Sequence, residues 1–65
     1  MSKKIEERSI YANEILTVRE VAQILRVNIY TVYDLLKLGR LVGFRITRRW
    51  RINKRDLIKF MQEES

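Results

Sequence analysis

The chain has 65 residues and a formal net charge of +6. It contains no cysteine and no histidine, which excludes disulfides, zinc fingers and thiol or imidazole catalysis. A domain of this size buries only about 60% of its unfolded surface, so its stability must come from a compact apolar core. The composition indicates one small domain with no cofactor and no metal site.

Hydropathy gives no sign of a membrane segment. No apolar run approaches the roughly 20 residues that span a bilayer. The N-terminus turns acidic at Glu6 and Glu7, where a signal peptide would be apolar. We therefore expect a cytoplasmic protein with no membrane partner.

Basic residues are concentrated in one part of the chain. Residues 35–55 carry eight basic groups and no acidic one, whereas residues 1–34 carry five of each. Four arginines surround the single tryptophan in "GFRITRRWRIN", at residues 43–53. This pattern is typical of proteins that bind a polyanion. A solvated surface is the plain alternative. A membrane surface is less well matched, because membrane-binding segments are usually amphipathic basic helices.

The N-terminal third divides into an arm and a first helix. Residues 1–13 are polar, mixed in charge and without a helix cap, so we interpret them as a flexible arm ahead of a folded domain at 14–65. Thr17 followed by Glu20 forms a capping box. Apolar residues then recur at helical spacing, which predicts a helix at about 18–25.

A second helix follows after a short turn. Asn28 is a favourable N-cap, and Gly39 suits the left-handed position that often ends a helix. These signals predict a helix at about 29–38. Two short helices separated by a three-residue turn are typical of a helix-turn-helix.

The basic segment predicts a β-hairpin, and the loop length decides its faces. A two-residue loop at Arg48 and Arg49 would mix apolar and basic side chains. A three-residue loop at residues 47–49 pairs Ile46 with Trp50, and it places Phe44 and Ile52 on the same face. We therefore expect these four apolar residues to pack on the core, with Trp50 as an anchor rather than a base-stacking residue.

The same register places Arg45 opposite Arg51 across the hairpin. Like charges in this arrangement cost up to about 1 kcal/mol, and bound phosphates would turn the repulsion into attraction. After the hairpin, Asn53 and Asp56 form another cap signal, and a third helix is predicted at about 54–62. The predicted fold is mainly α with a small β-hairpin.

Two stretches, "LTVREVAQILRVNIYTVYDLLKLGRL" and "FRITRRWRINKRDLIKFM", together resemble the excisionase-type, MerR-like helix-turn-helix family. The resemblance covers residues 15–62. It implies a winged helix-turn-helix, with the second helix in the major groove of duplex DNA and the hairpin as a wing on the adjacent backbone or minor groove. Such domains act as recombination directionality factors or transcriptional regulators. They often bind DNA cooperatively, bend it and act beside an integrase.

The sequence departs from this family at several positions. Arg26 stands in the turn between the two helices, where glycine is usual. Thr47 stands in the wing turn, where glycine is common. Ile29, Tyr30 and Asp34 occupy positions where relatives often carry basic residues, so the wing must supply most of the electrostatic attraction. The candidate DNA-binding residues are Asn28, Tyr30, Thr31, Tyr33 and Lys37 on the second helix and Arg45, Arg48, Arg49 and Arg51 on the wing.

A protein-interaction module is the main alternative function. Ile29, Tyr30 and Tyr33 would form an apolar patch of the kind that partner proteins bind, if all three were exposed. We do not expect an enzyme, because the chain lacks a phosphate-cradling glycine loop and a pair of catalytic carboxylates in a pocket.

Overall fold

The computed structural model describes residues 14–64, so the predicted arm at 1–13 lies outside the described residues. The elements follow one another along the chain as a short strand, two helices, a hairpin and a third helix. Their bounds are β1 (Ile15–Thr17), α1 (Val18–Leu25), α2 (Ile29–Lys37), β2 (Phe44–Ile46), β3 (Arg49–Asn53) and α3 (Lys54–Glu64). This confirms the predicted fold, which is mainly helical with a small sheet and matches a winged helix-turn-helix. No helix in this part of the chain is long and apolar enough to cross a membrane.

The predicted helix caps are confirmed by hydrogen bonds. Thr17 Oγ1 accepts from the Glu20 N–H at 3.1 Å, and the Glu20 carboxylate accepts from the Thr17 N–H at 2.8 Å. Asn28 Oδ1 accepts from the Tyr30 N–H at 2.9 Å, which caps α2. Asn53 Oδ1 caps α3 in the same way, accepting from the Arg55 N–H at 2.9 Å. Because each cap satisfies a backbone donor left unpaired at a helix start, the sequence fixes where all three helices begin.

Both helices of the motif end next to a left-handed residue, and the sequence predicted this for Gly39 at the end of α2. Gly39 has φ +75°, and the Arg40 N–H returns to the Leu35 carbonyl at 2.9 Å. Arg26, at the end of α1, adopts the same left-handed region with φ 60° and ψ 45°. A residue with a Cβ is strained there by roughly 1–2 kcal/mol. The turn of this helix-turn-helix is therefore held by the surrounding packing rather than by a glycine.

Strand β1 was not predicted, because three residues are too few for a periodic signal. It pairs antiparallel with β3, placing Leu16 opposite Ile52, and the sheet order is β1-β3-β2. The helices cover one face of this sheet. The buried core between them consists of Leu16, Val18, Val21, Ala22, Val32, Leu36, Leu41, Ile52 and Leu57.

The predicted hairpin register is wrong. The loop contains two residues, Thr47 and Arg48, and β2 pairs with β3 as Phe44 with Arg51, Arg45 with Trp50 and Ile46 with Arg49. Residues directly opposite in an antiparallel pair share a face. Arg45 therefore does not face Arg51, and the predicted repulsion between these two side chains does not arise in this register.

The two faces of the hairpin differ from the prediction accordingly. Ile52 is fully buried and Trp50 is half-buried against the core, as expected. Phe44 and Ile46 instead lie on the outer face, with 38% and 54% of their surface exposed. The two-residue turn sets the register of β2 on β3, while β1 brings Leu16 and Ile52 together on the inner face. Because Phe44 and Ile46 lie on the face opposite Ile52, the wing buries only some of its apolar residues.

Gly43 allows the chain to enter β2 close to the core. A Cβ at this position would lie 2.5 Å from Leu36 Cδ2, 3.1 Å from the Arg51 carbonyl oxygen and 3.3 Å from Trp50 Cε3. Leu36 is itself buried, so its side chain has little room to yield. The absence of a side chain at residue 43 thus lets α2 and the base of the wing pack together.

The wing turn holds two non-glycine residues at positive φ. Thr47 has φ 50° and Arg48 has φ 68°, the signs of a type I′ turn, which favours asparagine and glycine. We expect Thr47→Asn to raise the free energy of unfolding by about 1 kcal/mol, since asparagine tolerates this region better than a β-branched residue. Thermal unfolding measures the change. Thr31→Asn, on the exposed face of α2, is the control, and an equal gain there would contradict the strain at Thr47.

Candidate nucleic-acid interface

A basic cleft lies where β1 ends and the hairpin continues. Thr17 pairs with Arg51, so the neighbouring part of β3 extends beyond β1. The start of α1 and one tyrosine of α2 close the other sides of this space. The cleft has a volume of about 440 Å³ and is lined by Thr17, Val18, Arg19, Tyr33, Arg48, Arg49, Trp50 and Arg51. None of these eight residues is acidic.

Three of the predicted wing arginines meet in this cleft. Arg48 lies at the hairpin tip, Arg49 begins β3, and Arg51 lies two residues further along the strand. Arg51 Nη1 donates a hydrogen bond to the Trp50 carbonyl at 2.8 Å. That bond holds one guanidinium at the cleft wall, while Arg48 and Arg49 remain exposed.

Arg45, the fourth predicted wing arginine, is not among the residues that line the cleft. It shares the inner face with Trp50, and its guanidinium carbon lies 5.7 Å from the centroid of the indole ring. A cation over an aromatic face at this distance is attracted to the ring. Arg45 thus contacts the anchor of the wing, and its side chain remains exposed.

The predicted residues of α2 divide between two positions. Tyr30, Thr31 and Lys37 are exposed, and Tyr30 has 70% of its surface open to solvent. Tyr33 is half-buried, packs against the core and forms a wall of the cleft. Asn28 is exposed, but its side-chain oxygen Oδ1 already accepts the hydrogen bond that caps α2. Helix α2 therefore presents a polar and aromatic surface beside the basic cleft.

Sequence reasoning missed Arg19, which joins the three wing arginines in the cleft. It lies in the first turn of α1, near the positive end of the helix dipole, where a cation is disfavoured. An unfavourable charge at that position was an available signal for an anionic partner. The approach of α1 to the hairpin could not be predicted, because it depends on the unpredicted strand β1.

The charges of the cleft are not neutralised within the described residues. Within residues 14–64, a salt bridge joins Arg40 Nη2 to Glu64 Oε1 at 2.9 Å. Neither residue of this pair lines the cleft. The four cleft arginines therefore create a concentrated positive potential that an external anion can satisfy.

The chain is similar to a curated protein from a bacterium. YvgK of Bacillus subtilis (strain 168), described as an uncharacterized protein, is 43% identical over 44 residues. The alignment covers 68% of this chain but 14% of YvgK, so the chain spans about a seventh of that relative's length. No solved structure gives a significant match.

A family model matches a somewhat larger part of the chain. Its description is "Helix-turn-helix domain", and it matches residues 15–65. This range contains both helices of the motif, the wing and α3. The chain thus belongs to the excisionase-type helix-turn-helix domain family of DNA-binding proteins.

Proposed function

We propose that this domain binds duplex DNA as an excisionase-type module, acting in recombination of a mobile element or in transcriptional regulation. The single observation that carries the proposal is the cleft in which Arg19, Arg48, Arg49 and Arg51 meet and whose lining contains no acidic residue. Guanidinium groups bind phosphate oxygens with strong, charge-assisted hydrogen bonds. Duplex DNA supplies such oxygens at regular spacing along its backbone.

In the proposed complex, α2 enters the major groove and the wing follows the adjacent backbone or minor groove. Tyr30 and Thr31 are the side chains best exposed for contact with base edges. Asn28 retains its amide N–H₂ group for DNA, because its oxygen caps the helix. Lys37, Arg45 and the cleft arginines would contact phosphates, with Tyr33 and Trp50 supporting them.

A single small module gives modest specific affinity. We therefore propose that several copies bind one site cooperatively and that an integrase or recombinase is a further partner on the DNA. The expected location is the nucleoid of the cytoplasm. An integrase gene adjacent to the gene for this chain would favour the recombination role over the regulatory one.

A protein-interaction module is the second candidate function. Tyr30 on α2 and Leu38 at the C-cap of this helix are 70% and 71% exposed, as a docking surface for a partner requires. The predicted patch of Ile29, Tyr30 and Tyr33 is less favourable, since Ile29 and Tyr33 are half-buried. The cleft arginines have no role in this alternative, so we rank it second.

Binding to a random-sequence duplex separates the two candidates. If four arginines each neutralise one phosphate, the plot of log affinity against log salt concentration should have a slope of about −3.6, at 0.9 per contact. Fluorescence anisotropy with a labelled duplex between 50 and 200 mM salt measures this slope. An absence of binding at 50 mM salt would exclude the DNA-binding proposal and favour the interaction module.

A further inference from the structure

The exposed face of α2 has a carboxylate at its centre. Val32 and Leu36 are the buried residues of this helix. At about 100° per residue, Asp34 lies roughly 180° around the helix axis from the midpoint between those two. Any partner that approaches α2 from the side opposite the core therefore meets Asp34.

This carboxylate has no compensating partner in the described part of the chain. Asp34 is exposed and takes part in no ion pair within residues 14–64. It is also the one acidic residue between Glu20 and Asp56, the segment that contains the wing and most of the basic residues. An unpaired negative charge at this position weakens the attraction of the whole surface for phosphates.

The chemistry of base edges indicates what such a carboxylate can recognise. An ionised carboxylate only accepts hydrogen bonds. In the major groove, guanine and thymine present acceptors that repel it, and adenine places an acceptor beside its amino group. Cytosine presents the N4 amino donor alone, which is the partner that aspartate accepts from.

We propose that Asp34 is a specificity-determining residue that accepts a hydrogen bond from a cytosine N4 amino group in the major groove. The inference rests on the proposed function, because it requires α2 to enter that groove. It adds a requirement for cytosine at one position of the target DNA. The loss of general attraction for phosphates is then the cost of discrimination at that position.

Selection from a randomised duplex library tests the proposal with the wild-type chain and Asp34→Asn. Asparagine pairs with adenine N6 and N7. The C·G preference selected by the wild type should therefore shift to A·T at one position. On fixed duplexes, the preference for C·G over the other base pairs at this position should be about 10-fold weaker in the variant than in the wild type. Its affinity for random duplex should rise, because one negative charge is removed.

Glu63→Gln is the matched control, since it removes one negative charge from an exposed position on α3. It should leave the selected base preferences unchanged. The proposal is overturned if Asp34→Asn selects the same bases as the wild type while both still bind duplex DNA. If the wild type recovers no duplex at low salt, the proposed function fails, and this inference fails with it.

Discussion

Replacing both Arg48 and Arg49 with alanine will weaken binding to every duplex, whatever its sequence. These residues occupy the wing turn and the start of β3, and both line the basic cleft while remaining exposed. Each would lose one charge-assisted contact with a phosphate, at about 1 kcal/mol or more. We expect an affinity loss of roughly 30-fold at moderate salt, since every 1.4 kcal/mol corresponds to a factor of ten.

The salt dependence identifies the origin of this loss. Removing two phosphate contacts should flatten the slope of log affinity against log salt by about 2. A titration of the double variant on specific and random duplexes measures both quantities. Because phosphates carry no sequence information, the ratio of the two affinities should change little.

The matched control is the double variant Lys54→Ala and Lys59→Ala. It makes the same change in net charge, but both residues lie on α3 and neither lines the cleft. A loss as large as that of the wing variant would show that only the total charge matters. Unchanged binding by the wing variant itself would refute the proposed role of the cleft.

Ile52→Ala should have the largest effect on stability. Ile52 has no exposed surface and lies on the central strand opposite Leu16, so truncation leaves a cavity between the sheet and the helices. We expect the free energy of unfolding to fall by about 3 kcal/mol. The free energy of unfolding of a small domain is roughly 0.05–0.15 kcal/mol per residue, so the expected loss is a large fraction of the total. Denaturant titration measures the change.

Ile46→Ala provides the comparison within the same hairpin. Ile46 is 54% exposed on the outer face of the sheet, so its truncation should cost about 0.5 kcal/mol or less. The three-residue loop expected from the sequence would bury both isoleucines on one face. Similar losses for the two variants would therefore contradict the observed register with its two-residue turn.

The helices were predictable because their signals are local. Thr17 and Glu20 cap each other within one turn, and Asn28 caps the backbone two residues ahead. Gly39 ends α2 in the left-handed region. Such signals involve residues close together in the chain, so they can be read without knowledge of the tertiary fold. They place the helix-turn-helix at its observed position within one residue.

The register of the wing was not predictable in the same way. The face of a strand that is buried depends on what packs against it, and a shift of one residue reverses the faces. Choosing the loop that collected all four apolar residues on one side assumed that the core covers the entire hairpin. The two-residue turn instead places Phe44 and Ile46 on the face opposite Ile52, and both are exposed there.

The amino-acid sequence by itself determined the helix boundaries, the concentration of positive charge in residues 35–55 and the helix-turn-helix family. Only the tertiary structure decided which charges meet. Strand β1 brings Arg19 to the hairpin, so that four arginines share one cleft, and the two-residue turn moves Arg45 away from Arg51 onto Trp50. Caps and composition act over a few residues, whereas pairing between residues 15–17 and 51–53 joins distant segments that no local pattern encodes.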